Sequence, residues 1–157
     1  MLTFRTYLTK NDPDAICKIA ASTGFFDESD VELNRKLAEK ALHNKDCGYE
    51  YIIAEFGGEP VAYVCFGELP DAREGTFEIF WLSTLNSFRG CGIGHQLFSR
   101  LSEILKERDA QKLYVKTDNT DQYYPTRKFY EKCGFRREAV LKEYYDRKDD
   151  CLSLIHI

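Results

Sequence analysis

The chain is 157 residues long, 43% hydrophobic and 31% charged, with four prolines and a formal net charge of -4. That length suits one domain with a real core. No apolar run is long enough to cross a bilayer, and residues 1–5 lack the basic start of a signal peptide, so a cytoplasmic protein without membrane partners is expected. The acidic balance argues against a nucleic-acid binder, which needs a basic face, yet it leaves room for a local basic pocket holding one phosphorylated ligand.

Residues 2–8 read as a first strand. Asp12-Pro13 then reads as a helix start, with Asp12 as the capping side chain and proline at the first helical position. Ile16, Ile19 and Ala20 give that helix one apolar face. A loop over residues 22–29 carries Phe25 and Phe26 beside acidic residues. Ser29-Asp30-Val31-Glu32 has the capping-box form and predicts a second helix to about His43, with Leu33, Leu37 and Ala41 on its apolar stripe.

Strands over residues 49–56 and 60–66 flank Gly57-Gly58, a hairpin signal. A turn at Leu69-Pro70-Asp71 leads to a strand over residues 76–85. Ile93, Leu97, Leu101, Ile104 and Leu105 recur at helical spacing. Residues 113–117 form a short strand. Residues 124–133 read as a helix, with Pro125 near its start and Gly134 as its C-terminal cap. Strands over 136–145 and 151–157 are joined by the charged turn 146–150. The order βααβββαβαββ describes one α/β domain over residues 1–157, without repeats or low-complexity linkers.

The six cysteines, at 17, 47, 65, 91, 133 and 151, form no C-x-x-C pair and have no His partner at zinc-ligand spacing. Reduced thiols and no metal are expected. The chemistry concentrates instead at Arg89-Gly90-Cys91-Gly92-Ile93-Gly94, where a strand runs through a glycine-rich turn into an amphipathic helix. The first N–H groups of a helix lack internal partners, and the helix dipole adds positive charge there. Gly92 and Gly94 remove side chains that would keep a diphosphate from those donors, and Arg89 adds a full charge. A dinucleotide fingerprint starting at Gly90 would need glycine where His95 stands, and the G-K-[ST] ending of a Walker loop is absent. By itself the segment specifies an anion-binding turn.

Arg89-x-x-Gly92-x-Gly94 resembles the R/Q-x-x-G-x-G/A signature of the GCN5-related N-acetyltransferase (GNAT) family. Downstream, Lys128-Phe129-Tyr130-Glu131-Lys132-Cys133-Gly134-Phe135 resembles that family's second hallmark, a helix ending in F/L-Y-E-K-x-G-F, and the element order matches over essentially the whole chain. The resemblance implies a mixed, mostly antiparallel sheet flanked by helices. It also implies an acetyl group moved directly from acetyl-coenzyme A to a primary amine of a small molecule or peptide. In that frame Leu82, Ser83 and Thr84 pair with the pantetheine arm. The N–H groups of Gly90, Cys91, Gly92, Ile93, Gly94 and His95 cradle the pyrophosphate, supported by Arg89. The His95 ring is read as solvated.

Tyr130 falls on the motif tyrosine and is the candidate general acid for the departing thiolate. Glu78 interrupts the apolar strand Phe77-Glu78-Ile79-Phe80-Trp81-Leu82; by alternation it shares a face with Phe80 and Leu82, and burial would raise its pKa towards that of a useful base. A structural ion pair is the other reading of Glu78, and a water chain the other route for the proton. Family members often place an asparagine shortly before the helix tyrosine. Here that position is Tyr123, with Asn119 further back, so that role is not carried over. The acceptor groove would take Phe25, Phe26, Asp27, Glu28 and Asp30 from one side and Tyr144 and Tyr145 from the other, which suits a cationic amine. Similar proteins are frequently homodimers. A non-catalytic module that senses acyl-coenzyme A is the alternative to an enzyme.

Overall fold

The computed structural model describes residues 1–156. One seven-stranded sheet has the order β1-β2-β3-β4-β5-β7-β6, with β1 Leu2–Arg5, β2 Glu50–Phe56, β3 Glu59–Glu68, β4 Thr76–Thr84, β5 Lys112–Asp118, β6 Arg136–Asp146 and β7 Asp149–His156. Helices α1 (Asp12–Ser22) and α2 (Glu28–His43) cover one face; α3 (Ile93–Glu107) and α4 (Tyr124–Lys132) lie on the other. Only β4 and β5 are parallel. The expected element order and mixed, mostly antiparallel sheet are the ones found. Residue 157, the expected end of the last strand, lies outside the described residues.

The central strands read as continuous apolar runs because both faces are covered. Along β2, Tyr51 and Ile53 pack with Ile16, Ile19 and Ala38, whereas Ile52 and Ala54 pack with Leu97, Leu101 and Phe98. Burying each such aliphatic side chain contributes roughly 1.5–3 kcal/mol. The Gly57-Gly58 hairpin forms as expected, joining β2 to β3.

Several local expectations shift. The first strand ends at Arg5, because the Arg5 side chain turns to meet Asp12. Asp12 is not the cap of α1; that position is Asn11. Asp12 is 1% exposed and takes two hydrogen bonds from Arg5, at 2.7 and 2.6 Å, and one from the Thr9 N–H at 2.6 Å. Helix α2 begins one residue before Ser29, and its cap is Asp27, which accepts from the Asp30 N–H at 2.9 Å. Its buried face is Asn34 and Ala38, while Leu33 is 43% exposed. Asn34 explains that rotation. Its Oδ1 accepts from the buried Tyr63 hydroxyl at 2.6 Å, and its Nδ2 donates to the Asp30 carbonyl at 2.9 Å. The last hairpin turns at Arg147 and Lys148, so β7 begins at Asp149.

Among the described residues, no helix is long and apolar enough to cross a membrane. Burial alone would raise the Asp12 pKa, but hydrogen bonds from Arg5 and Thr9 and the Arg5 charge hold it below the usual carboxylate value. Its contribution is therefore present above the unfolded-state pKa and is lost as pH falls through the lowered value. Asp12→Asn, which strands Arg5 with Glu55 alone, is expected to cost about 3 kcal/mol at neutral pH. Urea denaturation checks this, and the gap between variant and parent should shrink below about pH 4.

Candidate functional site

The site begins where the β4–β5 ladder stops. The two strands pair from Thr76 opposite Lys112 to Ile79 opposite Val115 and no further. Beyond that point β4 pairs only with β3, through Leu82, Ser83 and Thr84, and β5 pairs only with β7. A bulge accompanies the divergence: Cys65 lies opposite Trp81 and Phe66 opposite Ile79, so Phe80 is the extra residue. Phe80 and Trp81 then both pack on the α1/α2 side, and Leu82 packs on the α3/α4 side. Glu78 accordingly shares its face with Phe80 and Trp81, and the expected grouping with Leu82 fails because alternation is interrupted at the bulge.

The resulting opening is a cleft of about 1220 Å³ that passes between the strands and is lined from both faces of the sheet. At its α3 end, Gly92 caps the helix with φ of 77°, a left-handed conformation that glycine adopts without strain. Among the described residues the Arg89 N–H donates to the Asn86 carbonyl and the Gln96 N–H to the Gly92 carbonyl, while the N–H groups of Gly90, Cys91, Gly92, Ile93, Gly94 and His95 have no protein partner. A Cβ added at Gly90 or Gly92 would meet open space. This row of free donors at a helix start fits a diphosphate. Gly94 plays a different steric part from the one expected: a Cβ there would lie 3.0 Å from the Phe129 ring, so its bareness lets α3 approach α4.

Arg89 is exposed and free of ion pairs among the described residues, with its guanidinium 5.3 Å from the Phe25 ring centre. The His95 ring is exposed, 4.8 Å from the Phe129 ring and 3.6 Å from Cys133 Sγ. Tyr130 is 5% exposed, packed edge-on against Phe129 and Phe135, and lines the cleft. Burial, then the neighbouring Cys133, pushes its phenol well above the ordinary tyrosine value, which keeps it protonated.

Glu78 is 9% exposed and opens on the other side of the sheet, with Lys116 Nζ at 3.7 Å. Burial raises its pKa, and the Lys116 charge partly offsets that rise. Of the residues expected in the acceptor groove, Phe25, Phe26, Asp27, Asp30, Tyr144 and Tyr145 line the cleft, and Glu28 does not. Tyr123 lines it and donates to the Phe25 carbonyl at 3.4 Å, while Asn119 is exposed with its N–H on the Asp150 carbonyl.

Sequence reading missed Leu33, Trp81, Asp118 and Asp149, which also line the cleft. Leu33 looked like core, and Asp149 looked like part of a solvated turn. Residues 118 and 149 come together only through β5–β7 pairing, which leaves no local signal.

The sequence profile of the Acetyltransferase (GNAT) family matches residues 14–135. An N-alpha-acetyltransferase of Sulfolobus acidocaldarius is 29% identical over 119 residues, covering 69% of this chain and 68% of that protein. The crystal structure of a GNAT-family protein from Desulfovibrio desulfuricans superposes with a TM-score of 0.95 at 29% identity, covering 99% of this chain and 98% of the other. An aminoglycoside 6'-N-acetyltransferase, solved in complex with coenzyme A, shares the fold at a TM-score of 0.76 and 16% identity, covering 99% and 96%. With the profile spanning most of the chain and the fold agreeing from end to end, the chain belongs to the GNAT acetyltransferase family.

Proposed function

We propose that the protein moves an acetyl group from acetyl-coenzyme A to a primary amine by direct transfer across the cleft between β4 and β5. The observation that carries this reading is the row of unpartnered N–H groups from Gly90 to His95, opening into the same cleft as the Tyr130 phenol. The donor's pyrophosphate would take those N–H groups and Arg89. Its pantetheine arm would take the β4 edge at Leu82, Ser83 and Thr84, which has no strand partner on the β5 side.

The sheet separates the two substrates. Tyr130 and Leu82 belong to the α3/α4 side, and Glu78 to the α1/α2 side. An amine arriving from the α1/α2 side would meet the thioester in the gap between the strands. Attack forms the new C–N bond and breaks the C–S bond. The amine proton goes to Glu78, directly or through water, and Tyr130 gives its proton to the departing thiolate. A main-chain N–H of the free β4 edge polarises the carbonyl oxygen. The raised pKa values favour both roles: a buried phenol stays protonated, and a buried carboxylate becomes a stronger base.

Four measurements test this reading. Coenzyme A should raise the melting temperature, with NAD and ATP giving no shift, and acetyl-coenzyme A should release thiol only with an amine present. Binding without turnover by any amine would instead indicate a sensor. Tyr130→Phe should lower kcat at least about a hundredfold, with the KM for acetyl-coenzyme A changed little; undiminished turnover would remove the phenol from the mechanism. The acidic limb of kcat/KM should lie above the ordinary glutamate pKa of about 4.3 and disappear in Glu78→Gln. It should move further up in Lys116→Ala, because the charge that lowers the Glu78 pKa is gone. A limb set by the amine's own ionisation would ignore both substitutions.

A further inference from the structure

Beyond Glu78, the acceptor side of the cleft carries carboxylates that the acetyl-transfer step does not use. Asp118 ends β5 and faces the α1/α2 side, as Lys116 and Glu78 do. It lies opposite Cys151, and Asp149 stands two residues before Cys151 at the start of β7, so alternation brings the Asp149 side chain to the same face. The two carboxyl groups are close enough to shift each other's ionisation. Asp30, from the first turn of α2, closes in from above; with Asp118 and Asp149 it surrounds the Tyr123 phenol, whose pKa is raised first by burial and then by those three charges.

Side-by-side carboxylates repel unless a proton or a cation joins them. Among the described residues, Asp30, Asp118 and Asp149 form no salt bridge, although Glu78 and Asp150 each have one. Arg127 lies close to Asp118, but its Nη1 donates to the main-chain carbonyls of Asp118 and Thr120. One Asp118 oxygen accepts the Thr120 N–H at 2.6 Å. Asp149 Oδ1 is wholly buried with no partner. The same cleft is lined by Phe26, Trp81, Tyr123 and Tyr145, aromatic surface that favours a positive charge.

We infer that the acceptor carries, besides the amine that is acetylated, a second positively charged group, and that Asp118 and Asp149, faced by Asp30, bind it. The inference rests on the acetyl-transfer reading of the cleft. It places the pair away from the reacting nitrogen for two reasons. An amine held in an ion pair stays protonated and cannot attack. Asp118 also stands three residues past Val115, where the ladder ends, roughly 10 Å along the strand. In the absence of such a ligand the contact with Asp118, then burial and the surrounding acids, push the Asp149 pKa up to about 6, so the pair holds a proton only below that pH.

The shared chemistry, a primary amine with a second cation a short chain away, is found in small diamines and in peptide N-termini next to a basic residue. The test pairs each with an uncharged match: cadaverine against hexylamine, and the tripeptide Ser-Lys-Ala against Ser-norleucine-Ala. The dicationic member of at least one pair should have a kcat/KM about tenfold higher or more, and the pair with the larger ratio identifies the source. Asp149→Asn should bring that ratio near one by slowing the dication alone. Parity in both pairs, or an equal loss on both members in the variant, overturns the inference. Calorimetric titration of cadaverine into the coenzyme A complex reads the site without turnover: binding should weaken about tenfold in Asp149→Asn. Asp149-dependent binding with no acetylation of any amine would sink the transferase reading and leave the cation site standing. Turnover without a dication preference would do the reverse.

Discussion

Everything in this molecule that can do chemistry depends on the β4–β5 ladder ending after Ile79 and Val115. Parallel strands that pair along their full length consume the N–H and C=O groups on both facing edges. Here the later part of β4 keeps one edge unpaired, and the sheet gains a passage from one face to the other. The bulge at Phe80 maintains the divergence by placing two consecutive aromatic side chains on the α1/α2 side. Phe80 packs on Tyr49 at 5.3 Å between ring centres, and Trp81 packs on Phe26 at the same distance. Antiparallel pairing with β7 holds β5 on the far side. Closing the cleft would require undoing both sets of contacts.

The passage is also electrically polarised, which an overall charge of -4 conceals. Free helix N–H groups, Lys128 and Lys132 gather at the α3/α4 side, with Arg89 against the Phe25 ring, while Asp27, Asp30, Glu78, Asp118 and Asp149 outnumber Lys116 on the α1/α2 side. An acidic chain is thus compatible with the proposed polyanionic donor, because binding responds to the local field within a Debye length of about 10 Å rather than to the sum over the chain.

The elements legible in sequence are those set by local rules. The Gly57-Gly58 hairpin, the amphipathic α3 and the glycine turn before it all follow from near neighbours in the chain. What was not legible depends on partners far away. Asp12 reads as a cap beside Pro13 until Arg5 turns back to it. Leu33 reads as core because a leucine stripe outweighs an asparagine in any count of apolar spacing. In the structure, the buried Tyr63 hydroxyl requires an acceptor and turns Asn34 inward. The face assignment of Leu82 fails because a one-residue bulge leaves no mark on the alternation pattern before it. Asp118 and Asp149 are separated by α4 and the final hairpin, and only strand pairing brings them together.

The two sequence signatures behind the proposed donor site are in physical contact. Gly94, in the first turn of α3, is in contact distance of Phe129 on α4, and the His95 ring lies 4.8 Å from the same phenyl group. Phe129 is in turn packed edge-on against Tyr130 at 5.2 Å. The helix start that offers its N–H groups to a diphosphate therefore sets, through one phenyl ring, where the phenol stands. A side chain at residue 94 would have to push Phe129 aside, because van der Waals repulsion at 3.0 Å leaves no slack in a packed interface. That displacement would reach Tyr130 before it reached any phosphate. Position 94 thus bears on the packing of Phe129 and Tyr130, the proposed general acid, whereas Gly92, whose missing side chain would point into open space, serves the backbone turn itself.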